Sequence, residues 1–356
     1  MMNIKIENKN IDILQIESLK KQSGAALDHL WNTEWVKNSI ARNDRQILPA
    51  VQEAADKLAE QSDIVLVIAA GQAARLVRGA LSAAAPADGR CRVIVFGDTL
   101  SSAEYAELLQ ELEGKRFSII AVSDEDEPVQ LKGAYLCLKQ LLIRRHGKEQ
   151  AAERLYAVTG GKSRYFAAEA AEEDFPMFSC GGISSYFGAN TAMTLLPLAV
   201  IGVDISSYLD GFYDMLASPA WDLDAVDYAV ARAACRKKFG TGEILQIWQK
   251  QLEDFGKWQG SGCLMPADGN TGDKNIFESQ LLIEEDSSDV MMPYFEEGDE
   301  DGSLSRLMLR TAGAAFNDEK PGVRLSLEVM NDYNLGQLFA FTQLSKAITE
   351  FFLEEK

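Results

Sequence analysis

Residues 62–81 read SDIVLVIAAGQAARLVRGAL, and this stretch decides the fold. Ile64-Val65-Leu66-Val67-Ile68 is an unbroken apolar run, mostly β-branched, as a strand buried on both faces requires. Gly71 breaks the run, and residues 74–84 have helical character. Strand, glycine turn and helix form the first half of a βαβ unit. The alternation repeats toward the C-terminus. Val93-Ile94-Val95-Phe96 is a second strand, closed by Gly97-Asp98, and Ser101 is an N-cap for a helix reaching Glu113. Residues 117–122 form a third strand. Leu131, Ala134, Tyr135, Leu138, Leu141 and Leu142 then recur at helical spacing. That helix ends in Arg144-Arg145-His146-Gly147, with basic residues suited to the negative end of the dipole and a glycine stop. Residues 155–158 form a fourth strand. The pattern predicts a parallel, three-layer α/β sheet.

The rest of the chain alternates less regularly. Residues 191–203, 206–216 and 225–237 read as helices. Residues 243–247 read as a strand followed by a helix through Trp258. Further strands are expected at 279–283, 307–310 and 323–329, and a terminal helix at 334–353. The acidic run 284–301 reads as a solvated loop. The most apolar stretch, residues 193–203, contains Pro197 and ends at Asp204. It is too short for a bilayer, where about 20 residues are needed.

Composition removes several functions. The chain has 356 residues, 54 acidic against 35 basic side chains, and a net charge of −19. Phosphate backbones and anionic membrane surfaces call for basic patches, so neither nucleic acid nor a membrane is an expected partner. His29 and His146 are the only histidines, which disfavours a histidine-based metal site or a Ser-His-Asp triad. The five cysteines, Cys91, Cys137, Cys180, Cys235 and Cys263, form no CxxC pair and read as reduced thiols of a cytoplasmic protein. The opening residues MMNIKIENKN lack the apolar core of a signal peptide. No metal and no cofactor are expected.

Seven segments, in order over roughly residues 30–353, resemble the bacterial phosphoglucose isomerase family. They are the quoted stretch, VIVFGDTLSSAEYAELLQEL, FSIIAVSDEDEPVQLKGAYLCLKQLL, CGGISSYFGANTAMTLLPLAVIGVDISSYLDGFYDM, FGTGEILQIWQKQLEDFGKWQ, CLMPADGNTGDKNIFESQLLI and NDYNLGQLFAFTQLSKAITEFFL. The resemblance implies two sugar-isomerase (SIS) type α/β domains, flavodoxin-like, at about 46–203 and 204–356, after an N-terminal helical segment, 1–45. It implies interconversion of glucose 6-phosphate and fructose 6-phosphate, a sugar-phosphate ligand and a homodimer.

The implied chemistry departs from the family position by position. The Ser/Thr-rich phosphate loop is here Ser123-Asp124-Glu125-Asp126-Glu127-Pro128, with carboxylates where a phosphate would lie. The bland reading is that these acids cap the helix beginning near residue 130. The first glycine turn keeps only Gly71, followed by Gln72. The GGR-type loop reads Gly181-Gly182-Ile183-Ser184-Ser185, so its arginine is absent, while the serines either line a pocket or cap the next helix. The catalytic glutamate loop is missing after Trp258-Gln259. The histidine position holds Asn275, which cannot shuttle a proton near neutral pH. The chain stops before the family's lysine motif. Glu278 is the nearest substitute base. Gly71, Gln72, Ser123, Gly181, Gly182, Ser184, Ser185 and Asn275 are the expected ligand-binding set. The expected function is a ligand-binding or interaction protein on an isomerase fold, impaired in catalysis. The alternative is an active sugar or sugar-phosphate isomerase with relocated groups.

Overall fold

A computed structural model describes residues 4–41, 45–84, 91–125, 127–217, 219–240, 243–260, 262–264, 277–285, 303–316 and 320–354. The chain opens with strand β1 (Ile4–Lys9) and helices α1 (Ile13–Lys20), α2 (Ser23–Asn32) and α3 (Glu34–Ala41). Then follow α4 (Leu48–Gln61), β2 (Ile64–Ile68), α5 (Gly71–Ala83), β3 (Arg92–Phe96), α6 (Ser102–Glu111) and β4 (Phe117–Ser123). Next come α7 (Val129–His146), α8 (Lys148–Ala152), β5 (Leu155–Thr159), α9 (Tyr165–Glu173), β6 (Met177–Ser179) and α10 (Ala192–Ile201). The remainder comprises α11 (Ile205–Ala217), α12 (Pro219–Phe239), β7 (Glu243–Ile247), α13 (Glu253–Gln259) and β8 (Gly262–Leu264). It ends with β9 (Phe277–Glu285), α14 (Leu304–Phe316), β10 (Gly322–Val329) and α15 (Asp332–Glu354). Two compact units result, residues 38–209 and residues 1–37 with 210–356.

In the unit of residues 38–209 the sheet order is β3-β2-β4-β5-β6, parallel throughout. Every residue of β2, β4 and β5 is buried, as the unbroken apolar run of β2 and the mainly apolar runs of β4 and β5 demand. Leu66, Ile119 and Ala157 share one core with Leu131 and Leu138 of α7 and Phe166 of α9. Helix α10 is buried at all ten positions, Pro197 included. The apolar run that looked too short for a bilayer is therefore a core helix. No helix among the described residues is long and apolar enough to cross a membrane.

In the other unit the order is β1-β10-β9-β7-β8. Read from β8, its parallel strands repeat the second-first-third-fourth order of the first sheet. Both units are thus α/β, each with a parallel sheet flanked by helices. β1 adds an antiparallel edge, with Ile6 opposite Leu325. The N-terminal segment expected to be helical therefore begins with a strand. Its alternating Ile4-Lys5-Ile6-Glu7 pattern suits an edge strand with one wetter face.

Other expectations are corrected. Residues 307–310, expected as a strand, lie in α14. Leu304, Leu307, Met308, Ala312 and Phe316 recur at helical spacing, and the Ser303 hydroxyl accepts from the Arg306 N–H at 3.1 Å. The four-residue window hid that period. Helix α5 starts at Gly71 rather than at 74. Burial, with Arg154 and Arg145 nearby, lowers the His146 pKa below its ordinary value, so the helix-end charge is carried by Arg144 and Arg145. The acidic run 286–301 and Asp126 lie outside the described residues.

Candidate functional site

In the first sheet the chain reverses its direction of travel between β2 and β4. Such a switch point leaves a crevice at the carboxyl ends of the strands. The crevice here is a cleft of about 510 Å³, lined by the turn after β2, the loop after β4 and the segment Ser184–Tyr186. Of the expected ligand set, Gly71, Gln72, Ser123, Ser184 and Ser185 line it. Gly181 and Gly182 precede the third lining segment, with φ of +60° and +74°. Asn275 lies outside the described residues. Glu278 lies in the other unit, buried at the amino end of β9, and accepts from Lys320 at 2.9 Å.

Gly71 adopts φ +58°, the left-handed backbone that its lack of a Cβ permits. Its N–H donates to Asp98 Oδ1 at 2.6 Å, and Asp98 is held in turn by Arg78 at 2.9 Å. Pro128 holds the N-cap position of α7 with no side-chain bond, and the described acids Asp124 and Glu127 make their bonds elsewhere. Asp124 Oδ2 instead accepts the Ser185 N–H at 2.7 Å. Glu127 is buried and accepts from the Ser163 hydroxyl and from the N–H groups of Tyr165 at 3.1 Å and Phe166 at 3.2 Å, which caps α9. Burial opposes its ionisation, but these donors prevail and hold its pKa below the ordinary carboxyl value. Glu125 is exposed.

Ser123 donates to the Glu125 carbonyl at 2.7 Å, folding the loop on itself. Gly160 lies under this loop, where an added Cβ would sit 2.6 Å from Asp124 Cα. Ser184 takes the N-cap position of a 3₁₀ turn, Ser185–Asn190, with no side-chain cap bond. Thr191 caps α10, so the serines do not. Ile183, at the position of the resemblance's arginine, is buried. Among the described residues that line the cleft there is no lysine, arginine or histidine. Sequence reasoning missed Gln130, Tyr186 and Gly160. Gly160-Gly161 directly after β5 was the visible signal for the last.

No model of a known protein family matches the chain. Curated relatives do. Glucose-6-phosphate isomerase of Streptococcus thermophilus is 24% identical over 380 residues, covering 94% of this chain and 84% of the relative. That of Symbiobacterium thermophilum is 26% identical over 358 residues, covering 88% and 80%. This chain resembles the glucose-6-phosphate isomerases over most of its length. Solved structures agree on the fold. A glucose-6-phosphate isomerase from Chlamydia trachomatis matches with a TM-score of 0.80 at 12% identity, covering 99% of this chain and 84% of that one. A hypothetical protein from Thermus thermophilus matches at 0.79 and 17% identity, covering 96% and 94%. The fold is therefore that of the SIS-type sugar isomerases.

At the switch point of the second sheet, between β7 and β9, a side chain bridges the strands. Gln249 is buried, donates to the Ile283 carbonyl at 2.7 Å and accepts from the Ile283 N–H at 3.3 Å. Helix α13 ends at Gln259 with Gly260 as its C-cap, φ +81°, and β8 begins at Gly262.

Proposed function

We propose that this protein binds a sugar-like ligand in the cleft between the Gly71 turn and the Ser123 loop, and that it does not catalyse aldose–ketose isomerisation at enzymatic rates. One observation carries the reading. The cleft lies at the switch point of the sheet and is lined by Ser123, Ser184 and Ser185, while its described lining has no lysine, arginine or histidine. Enediol formation develops negative charge on oxygen, and a cation or a preorganised donor is the usual stabiliser. Each positioned acid or base contributes about 10²–10⁴-fold. Ile183 in place of an arginine and the short α13–β8 link support the same conclusion. Glu278 stands at the amino end of its strand, away from the carboxyl ends where such folds bind ligands, and its ion pair with Lys320 suits a structural role.

The second reading is an active isomerase with relocated groups. It is favoured by the extent of the similarity and by two carboxylates, Asp124 and Glu125, in the cleft. An assay of fructose 6-phosphate coupled to oxidation of glucose 6-phosphate separates the two. Turnover well below ~1 s⁻¹ is expected, and turnover in the ordinary enzyme range of ~1–10³ s⁻¹ would replace the first reading by the second.

A further inference from the structure

Three donors stand on residues that line the cleft, whose β4 loop is the one the sequence resemblance assigns to a phosphate. They are the Gly71 N–H, the Ser185 N–H and the Ser123 hydroxyl. Each is already committed to an acceptor of the chain itself: Asp98 Oδ1 at 2.6 Å, Asp124 Oδ2 at 2.7 Å and the Glu125 carbonyl at 2.7 Å. Two of those acceptors are carboxylates. We propose that Asp124 is a built-in substitute for a phosphate, and that the cleft takes an unphosphorylated sugar or polyol.

The inference rests on the ligand-binding reading above and narrows it. A bound phosphate draws on backbone N–H groups and hydroxyls at helix starts. Here Asp124 holds that place at the start of the 3₁₀ turn Ser185–Asn190, covalently fixed and always present. A phosphate would have to displace it and then sit beside both Asp124 and Glu125, with no basic side chain among the described lining residues. Like charges repel, the more so the closer they lie and the lower the effective dielectric around them. A neutral polyhydroxyl ligand meets the opposite situation. Its hydroxyls are donors, and a carboxylate accepts several hydrogen bonds at once. Gln72, Gln130 and Tyr186 add amide and phenol groups to the same wall. The Gly160 N–H donates to the Ser123 carbonyl at 2.8 Å and so ties the backbone beside Asp124 to the end of β5.

Calorimetric titration of the full chain with glucose, fructose, their 6-phosphates and inorganic phosphate tests the proposal. A free sugar is expected to bind at least tenfold more tightly than its 6-phosphate, and inorganic phosphate not to bind. Asp124→Ser should free the Ser185 N–H and narrow that ratio tenfold or more. Glu125→Gln alters an exposed side chain, so it keeps the test intact should Asp124→Ser misfold, and it should narrow the ratio several-fold. A 6-phosphate that binds the unaltered chain as tightly as the free sugar overturns the inference and leaves the cleft a ligand site. Binding of neither sugar nor phosphosugar overturns both this inference and the reading it rests on. An unchanged ratio in a folded Asp124→Ser chain overturns the role of Asp124.

Discussion

Gly160 shows how one residue shapes the cleft. It follows β5, its N–H donates to the Ser123 carbonyl at 2.8 Å, and a Cβ on it would meet Asp124 Cα at 2.6 Å and Asp124 O at 2.7 Å. Both obstacles are backbone, so the β4 loop itself must move. Gly160→Ala is expected to destabilise the protein by about 1–3 kcal/mol, the usual range for overpacking, and to pull Asp124 off the Ser185 N–H. Urea unfolding reads the first effect and ligand titration the second, and wild-type values in both would refute the contact. The glycine was visible in the sequence, but its job was not. The bond from Asp124 to Ser185 joins residues 61 apart, and a local reading of the acids naturally sends them to the nearest helix start instead. The turn at Gly71 was legible because a glycine after an apolar strand has few other meanings.

At the scale of elements, legibility followed locality. β2 is apolar throughout, and β4 and β5 are mostly apolar, because both faces are buried, so period and composition agreed. β1 pairs with β10, more than 300 residues away, and carries alternating charge, so nothing beside it announces a strand. How α12 joins the second sheet was equally hidden. Arg232 and Arg236 of that helix reach Glu243 at the start of β7, at 2.7 and 2.8 Å, and Ser279 of β9 donates to the same carboxylate at 2.8 Å. Burial works against the Glu243 charge, but the arginines overcome it and hold the pKa down to about 2. A carboxyl depressed in the folded state stabilises above its unfolded value, near 4.5, and loses that contribution as pH falls toward about 2. At neutral pH this amounts to roughly 3 kcal/mol. Urea midpoints should therefore drop between pH 4.5 and 2. Glu243→Gln should lower stability at pH 7 by about 3–5 kcal/mol, since two arginines lose their charged partner, and should flatten the acid limb. A variant whose acid limb matches the parent's would locate the acid sensitivity elsewhere.

For the whole molecule the governing quantity is the charge of −19. Some acids are locally answered, as where Arg116 pairs with Asp63 at 3.0 Å or Lys257 with Glu253 at 2.7 Å. Those pairs are largely exposed, and exposed pairs are worth about 0–1 kcal/mol each. The surplus acids have no such answer, and their mutual repulsion favours any expanded state. Salt weakens both effects, so the sign of the response tells which dominates. The screening length shortens from about 30 Å at 10 mM to about 8 Å at 0.15 M, which removes long-range repulsion first and contact pairs last. The Glu243 cluster is buried and should hardly respond. The melting temperature is therefore expected to rise by a few degrees between 10 mM and 0.15 M sodium chloride at pH 7. A flat or falling melting temperature would mean that the surface pairs outweigh the surplus charge. The same salt series separates surface from cleft in ligand binding. A neutral sugar held by hydrogen bonds should keep its affinity across it, whereas a phosphosugar repelled by Asp124 and Glu125 should gain affinity as salt rises.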